Sequence, residues 1–205
     1  MFIVSIHGGA FKFGDKADGQ LTPMLEGLKR GYAVASLNYR LSGEALFPAQ
    51  IQDVKAAIRF LKANAATYKI NPEKIAVWGG SAGGYLSAML GTTGDVADLE
   101  DKNQGNPTVS SRVNAVVDWF GPINFNTMDA QFKISKKGKT DHDNADSPES
   151  LLLGKKITEA TDLVQKANPT TYITPDDPPF FIQHGTQDPL VPMEQSTEFA
   201  ARPQG

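Results

Sequence analysis

The sequence predicts an α/β fold, a doubly wound and mostly parallel sheet with helices on both faces. Short apolar runs alternate with segments in which apolar residues recur every three or four positions, as expected for buried strands alternating with amphipathic helices. The strand-like runs are too apolar to face water, which is typical of a parallel sheet covered on both sides. The 205 residues, 40% of them hydrophobic, suit a single domain over residues 1–205.

Five apolar runs are the predicted strands, at residues 2–6, 32–37, 75–80, 113–120 and 180–183. The clearest helix is predicted to open at Phe47-Pro48, because the residues that follow form one apolar stripe: Ile51, Val54, Ile58, Leu61 and Ala65. Another helix is predicted around residues 21–28, where Leu21, Met24, Leu25 and Leu28 would share one face. Further helices are predicted directly after Ser81, from Ser147-Pro148 and from Val191-Pro192.

The sequence Gly-Gly-Ser-Ala-Gly at residues 79–83 joins a predicted strand to a predicted helix. A serine on so sharp a turn is under backbone strain, and side chains two positions away on either side would collide with neighbouring strands. Gly79 and Gly83 relieve that crowding and leave the Ser81 hydroxyl exposed. Ala82 begins the helix, so its N–H is a candidate oxyanion donor. The alternative is a glycine-rich turn without chemistry.

Gly8, Gly9 and Ala10 follow the first strand and have little side-chain bulk. Their backbone N–H groups can approach a substrate oxygen, so together with Ala82 these residues could form an oxyanion hole. The alternative is an ordinary glycine turn.

Asp188 follows the last predicted strand and is the candidate catalytic acid, with an Asx-turn before Pro189 as the alternative. Asp118 is the reserve acid and is expected to be structural. Asp53 is expected to be a surface or helix-pairing charge.

A serine is a weak nucleophile without an imidazole to take its proton. His7 is expected to order the loop after the first strand, and His184 to pack or order the loop that follows it. His142 lies among charged residues and is expected to be a solvated side chain. No histidine follows Asp188.

Composition narrows the classes of partner. The chain contains no cysteine, which excludes thiolate catalysis and disulfides, and its net charge of −3 implies neither nucleic acid nor an acidic membrane as a partner. No apolar run is long enough to span a bilayer. Without a signal peptide, a cytoplasmic location is expected.

Between about residue 123 and residue 174 the periodic pattern weakens. Lysines at 133, 136, 137 and 139 precede aspartates at 141, 143 and 146. This charged stretch is expected to be a solvated, mobile insertion.

The chain resembles the alpha/beta-hydrolase esterases, close to the bacterial carboxylesterases grouped with hormone-sensitive-lipase-like and with feruloyl or acetyl-xylan esterases. The matching segments run through nearly the whole chain in family order: 7–11, 38–41, 47–49, 79–84, 146–150 and 184–192. The resemblance implies Ser81 as nucleophile, Asp188 as triad acid and backbone N–H groups of Gly9 or Ala10 and Ala82 as oxyanion donors. It also implies a cap or lid at about 123–174 and neither a metal nor an organic cofactor.

Family members usually carry a strand hairpin before the His-Gly-Gly strand, and a last strand with a histidine loop after the acid. This chain has neither, so it is expected to be truncated at both ends and to lack a counterpart of the catalytic histidine. The polypeptide alone is therefore expected to be a very poor esterase, since loss of one triad member typically costs about 10⁴ to 10⁶ in rate.

The function predicted is that of a serine carboxylester hydrolase acting through an acyl-Ser81 intermediate on a small or aryl ester. The alternatives are a non-catalytic binding protein of the same fold and a peptidase. The partner expected is a small-molecule ester, and exposed sheet edges would favour association of copies.

Overall fold

The computed structural model describes residues 1–94 and 96–202. Its strands form one sheet: β1 (Phe2–Ile6), β2 (Ala33–Leu37), β3 (Ile75–Gly80), β4 (Ala115–Trp119) and β5 (Phe180–Gln183). The order is β2-β1-β3-β4-β5 and every neighbouring pair is parallel. The predicted parallel sheet is confirmed, with strand bounds shifted by at most two residues.

The described residues also form eight α-helices: α1 (Thr22–Leu25), α2 (Ala49–Ala63), α3 (Ala65–Tyr68), α4 (Ala82–Thr92), α5 (Met128–Ser135), α6 (Pro148–Leu153), α7 (Thr161–Lys166) and α8 (Met193–Ala200). Short 3-10 helices lie at Gly19–Leu21, Glu26–Arg30, Ala97–Leu99, Lys102–Gln104, Phe125–Thr127, Ile157–Glu159 and Pro169–Tyr172. None of these helices is both long and apolar enough to cross a membrane.

The reversal of strand order beside β1 creates the place for a site. The chain leaves β1 in one direction to form β2, and then passes back to β3, β4 and β5 on the other side. Because parallel crossovers are right-handed, these two directions put their connecting segments on opposite faces of the sheet. Ligands in such folds bind beyond the carboxyl ends of the strands where the order reverses, which here is the edge formed by the ends of β1 and β3.

Helices α2 and α4 cover the centre of the sheet. Ile51, Val54 and Ile58 of α2 are fully buried, which confirms the predicted stripe, and every residue of α4 is buried. Pro48 and Pro192 lie at the N-cap positions of α2 and α8, one residue before the first turn where they were predicted. Ser147 caps α6 as predicted, accepting a hydrogen bond from Ser150 N–H at 3.1 Å.

The predicted apolar face at residues 21–28 is wrong. The segment changes from a 3-10 helix to the single turn of α1 and then to a second 3-10 helix, so no one helical period runs through it. Met24 and Gly27 are buried, whereas Leu25 and Leu28 are exposed.

The segment at 123–174 contributes to the main core. Its short helices supply the buried side chains of Phe125, Met128, Leu152, Ile157 and Val164. The charged side chains between 133 and 146 are mostly exposed, as predicted. The segment therefore shares its hydrophobic core with the sheet and its helices.

Lys55 and Arg59 are buried side chains of α2 that share one carboxylate. Arg59 forms an ion pair with Glu100, and Lys55 Nζ lies 3.6 Å from the other oxygen of that carboxylate. Lys55 Nζ also donates to the Thr93 carbonyl at 2.5 Å, and Arg59 Nη2 to the Asp101 carbonyl at 2.7 Å. Glu100 therefore stabilises two buried cations.

We expect Glu100→Gln to lower the free energy of unfolding by about 3–5 kcal/mol, because the buried guanidinium of Arg59 loses the carboxylate with which it forms an ion pair. Denaturant unfolding measures the change. Glu26→Gln is the matched control, since the pair of Glu26 with Lys29 is exposed and contributes about 0–1 kcal/mol. Equal effects of the two substitutions would contradict the expectation.

Candidate active site

Ser81 stands on a strained turn between β3 and α4. Its φ is 55° and its ψ is −123°, a conformation that residues with a side chain rarely adopt. Such a conformation costs on the order of 1–3 kcal/mol and persists only where the surroundings enforce it. The Ser81 N–H donates to the Trp119 carbonyl at 2.8 Å, which ties the turn to the end of β4.

The flanking glycines have the steric role that the sequence predicts. A Cβ on Gly79 would lie 2.3 Å from the Gly83 carbonyl oxygen. A Cβ on Gly83 would lie 2.1 Å from the carbonyl oxygen of Ile6 at the end of β1. The backbones of β1, β3 and α4 therefore touch at this point, and only glycine fits.

The loop after β1 holds three successive residues at positive φ: Gly9 at 121°, Ala10 at 53° and Phe11 at 60°. The Gly9 carbonyl accepts hydrogen bonds from the N–H groups of Lys12 and Phe13. Among the described residues, the N–H groups of Gly9 and Ala10 donate to no protein acceptor. The Ala82 N–H begins α4 and has no acceptor within the helix.

His7 orders this loop. Its Nδ1 lies 2.7 Å from the Gly8 carbonyl oxygen, and its ring stacks on Tyr39 with centroids 4.5 Å apart. A Cβ on Gly14 would lie 2.4 Å from the same Nδ1, so the loop closes tightly around the imidazole. These contacts agree with the ordering role expected for His7.

A cavity of about 720 Å³ opens at Ser81. Ala10, Phe11 and Ala82 line it beside the serine. The other lining residues are Pro122, three residues of the loop after β5 and ten residues between 137 and 149. The loop residues are Pro189, Leu190 and Val191. The ten are Lys137, Gly138, Lys139, Asp141, His142, Asn144, Asp146, Ser147, Pro148 and Glu149. Ser81, the oxyanion candidates Ala10 and Ala82 and the loop of Asp188 thus meet at the predicted edge of the sheet.

Asp188 lies beside this cavity, directly before Pro189. One carboxylate oxygen accepts the N–H groups of Leu190 at 2.8 Å and Val191 at 3.0 Å, an Asx-turn. The other oxygen lies 3.5 Å from His184 Nε2.

His184 is buried and its nitrogens are engaged elsewhere. Nδ1 lies 2.7 Å from Ser196 Oγ, and Nε2 lies 2.9 Å from the Val191 carbonyl oxygen. The imidazole therefore orders the loop that carries Asp188, as the sequence predicts.

The other two aspartates lie away from the cavity. Asp118 is fully buried in β4, and its Oδ1 accepts the Gly121 N–H at 3.0 Å. Burial raises the pKa of Asp118 to about 7, although the hydrogen bond from Gly121 opposes the shift. Asp53 pairs with Arg40 across 2.7 Å, as expected of a structural charge.

The expectation for His142 is wrong. Its side chain is only 11% exposed, and its Nδ1 lies 3.2 Å from Oε2 of Glu149, whose side chain is 4% exposed. Asp129 accepts the backbone N–H of His142 at 2.9 Å, and the imidazole stacks on Phe132. Burial opposes the charged form, but the hydrogen bond and negative charge of Glu149, with Asp129 and Asp141, raise the pKa of His142 above its ordinary value.

His142 and Glu149 are thus the cavity residues that sequence reasoning missed. The partners that bury the imidazole come from α5 and α6, so no local signal around residue 142 indicates its position. Within residues 1–94 and 96–202, no group of three His, Cys, Asp or Glu side chains could hold a metal ion. The expectation that the protein needs no metal or cofactor stays a prediction.

The fold and the serine elbow define the class of this protein, which is that of the alpha/beta-hydrolase esterases. The BD-FAE family model matches residues 1–202, and the chain belongs to that family.

Relatives and solved structures agree with this assignment. "Probable carboxylic ester hydrolase LipM" of Mycobacterium tuberculosis is 32% identical over 199 residues, which are 96% of this chain and 43% of that protein. The structure "Bifunctional GH43-CE Bacteroides eggerthii" has a TM-score of 0.88 and 40% identity over 100% of this chain and 29% of its own. A "Truncated form of carbohydrate esterase from gut microbiota" has a TM-score of 0.85 and 37% identity, over 97% of this chain and 70% of its own.

The chain spans less than half the length of the curated relatives it matches over nearly its whole sequence, 43% of LipM and 44% of esterase LipQ, also of Mycobacterium tuberculosis. The activity and substrates of the whole protein are therefore treated as proposals below.

We expect Gly83→Ala to destabilise the protein severely, by about 3 kcal/mol or more, because the new methyl group would overlap the Ile6 carbonyl oxygen. Thermal or denaturant unfolding measures the loss. Gly43→Ala is the matched control, since a Cβ there meets no atom within 4 Å. A well-folded Gly83→Ala protein as stable as the control would contradict the steric account.

Asp118→Asn tests whether ionisation of the buried Asp118 carboxyl destabilises the folded protein. The pKa of Asp118 is about 7 in the folded protein and lower in an unfolded chain, so the folded protein binds the proton more tightly. The free energy of unfolding therefore falls as the pH rises from about 4 through 7. The neutral amide does not ionise, so we expect Asp118→Asn to gain stability relative to the parent as pH rises from 5.5 to 8.5. Melting temperatures at the two pH values measure this, and a pH-independent difference would contradict it.

Proposed function

We propose that this protein is a serine carboxylester hydrolase in which Ser81 is the nucleophile. The observation that carries the proposal is the strained Ser81 turn at a cavity of about 720 Å³, beside Ala10 and Ala82. Strain of this kind is concentrated at functional sites, and the family relationship identifies the chemistry as ester hydrolysis.

In the proposed reaction, Ser81 Oγ attacks the ester carbonyl carbon while a general base takes its proton. The negative charge on the carbonyl oxygen is stabilised by the N–H groups of Ala82 and of Gly9 or Ala10. The carbon–alkoxy bond then breaks, the base returns the proton to the leaving alcohol, and acyl-Ser81 remains. Water then attacks the acyl carbon while the base takes its proton, and the same N–H groups stabilise the second oxyanion. The bond to Ser81 Oγ breaks, the base returns the proton to the serine, and the carboxylic acid leaves.

The general base is not assigned to any of the three histidines of this chain. None is hydrogen-bonded to Ser81 Oγ among the described residues, and His184 has both nitrogens engaged. We assign Asp188 the role of orienting the imidazole of the general base. Residues 1–205 alone are expected to hydrolyse esters slowly.

The substrate proposed is a small ester, and two of the similar solved structures favour an acylated carbohydrate as its class. One is titled a carbohydrate esterase. Another, 26% identical, is titled an "acetyl ester-xyloside bifunctional hydrolase" from Caldicellulosiruptor lactoaceticus. The polar side chains that residues 137–149 contribute to the cavity support a substrate that forms hydrogen bonds.

Three further expectations stay predictions: a cytoplasmic location, a cap at about 123–174, and association of copies through exposed sheet edges. For the last, β5 is an edge strand and Phe181 on it is 61% exposed. A non-catalytic binding protein and a peptidase are not favoured, because three curated relatives that match nearly the whole chain are named ester hydrolases or esterases.

We expect Ser81→Ala to reduce kcat/KM for p-nitrophenyl acetate by about 10⁴-fold or more in the full-length protein, because the attacking atom is lost. A fluorophosphonate probe should label the parent protein and not the variant. Ser87→Ala is the matched control, since Ser87 lies on the same helix but is buried and bonded to the Gly83 carbonyl. Turnover that survives in Ser81→Ala would refute the proposal, and a parent that neither turns over nor is labelled would favour a binding protein.

A further inference from the structure

The cavity at Ser81 contains a second organised polar group, the imidazole–carboxylate pair of His142 and Glu149. Both side chains line the cavity and both are largely buried. No hydrogen bond joins this pair to Ser81, Asp188 or the oxyanion candidates within the described residues. The mechanism proposed above gives the pair no role.

Two contacts hold the imidazole of His142, and a third group anchors the backbone that carries it. Asp129 Oδ1 accepts the His142 backbone N–H at 2.9 Å, and Asp129 Oδ2 accepts that of Asp143 at 3.0 Å, so one carboxylate anchors the loop. The ring of Phe132 stacks on the imidazole with centroids 5.8 Å apart. Glu149 Oε2 meets Nδ1 at 3.2 Å. A solvated histidine on the surface would not have these contacts, so His142 is held in one orientation.

The pair leaves one nitrogen for a ligand. Because Glu149 is paired with Nδ1, that nitrogen carries the proton, and Nε2 has no hydrogen-bond partner among the described residues. Nε2 is an acceptor when the imidazole is neutral and a donor when it is charged. A hydroxyl group can pair with either form, since it both donates and accepts. An alkyl group can pair with neither.

We propose that His142, oriented by Glu149, binds a free hydroxyl group of the ester substrate through Nε2. The site then prefers esters of polyhydroxylated compounds over their deoxy analogues. His142 is a specificity-determining residue in this assignment and Glu149 is a positioning residue. The inference rests on the proposed function for the position of the ester at Ser81.

The test compares two esters of equal acyl group in the full-length protein: glycerol 1-acetate, which carries two free hydroxyls, and propyl acetate, which carries none. We expect the parent to favour glycerol 1-acetate in kcat/KM. His142→Phe keeps an aromatic ring beside Phe132 but removes both nitrogens. It should lower kcat/KM for glycerol 1-acetate by about fivefold to tenfold, the effect of one hydrogen bond, and leave that for propyl acetate nearly unchanged.

Three further variants separate recognition from general structure. His142→Gln should retain part of the preference, because its amide can still bond a hydroxyl. Glu149→Gln should lower the preference, because the imidazole loses its fixed orientation. Lys133→Gln, at an exposed position of α5, is the control and should not change it. Loss of activity toward both esters in equal proportion in His142→Phe would overturn the assignment.

A binding measurement keeps this result distinct from the esterase proposal. In Ser81→Ala protein, the NMR signal of the His142 Cε1–H, assigned by its loss in His142→Phe, should shift saturably with glycerol 1-acetate and not with propyl acetate. If the parent hydrolyses neither ester, the proposed function fails, and a selective shift still supports the hydroxyl site. Equal shifts with both esters, or no shift with either, would overturn the inference.

Discussion

The close approach of three backbones at the ends of β1 and β3 is the constraint on which the site depends. Gly83 in the first turn of α4 lies against the Ile6 carbonyl, and Gly79 lies against Gly83. With no side chain between them, the helix begins directly at the sheet edge, and Ser81 is forced to a φ of 55°. The serine hydroxyl, the start of α4 and the loop after β1 are therefore held at one place by main-chain packing.

This constraint also decides which parts of the site are rigid. The Ser81 turn is hydrogen-bonded to the Trp119 carbonyl, and the loop after β1 is packed around His7. The proposed nucleophile and oxyanion donors are therefore held rigidly against the sheet. Asp188 is held by its own turn and by the loop that His184 orders. The wall contributed by residues 137–149 is built differently, from a loop between α5 and α6 that side chains of those two helices hold in place. That wall is where differences among family members in substrate preference are expected.

The sequence predicts the features whose causes are local. Apolar runs predict the five strands, the spacing of Ile51, Val54 and Ile58 predicts α2, and the glycines at 79 and 83 predict the serine elbow. The strands and α2 follow from burial patterns within a few residues, and the glycine motif is local in sequence although Gly83 packs against β1. The roles of Ser81, Asp188, Gly9, Ala10 and Ala82 in chemistry stay predictions.

The features that the sequence does not predict depend on distant contacts. His142 is surrounded by charged residues in sequence, yet Phe132 and Glu149 bury it. Leu25 and Leu28 match a helical period, but both are exposed where α1 passes into a 3-10 helix. Glu100 matches no motif, although it neutralises two buried cations that come from α2. For His142 and Glu100 the decisive partner lies on another element.

The most direct test of the central claim is a crystal structure of the full-length protein after reaction with a fluorophosphonate. The account predicts phosphorus bonded to Ser81 Oγ, with a phosphoryl oxygen about 2.7–3.1 Å from the backbone nitrogens of Ala82 and of Gly9 or Ala10. An adduct whose oxygen points away from those amides, or an unmodified Ser81, would contradict it.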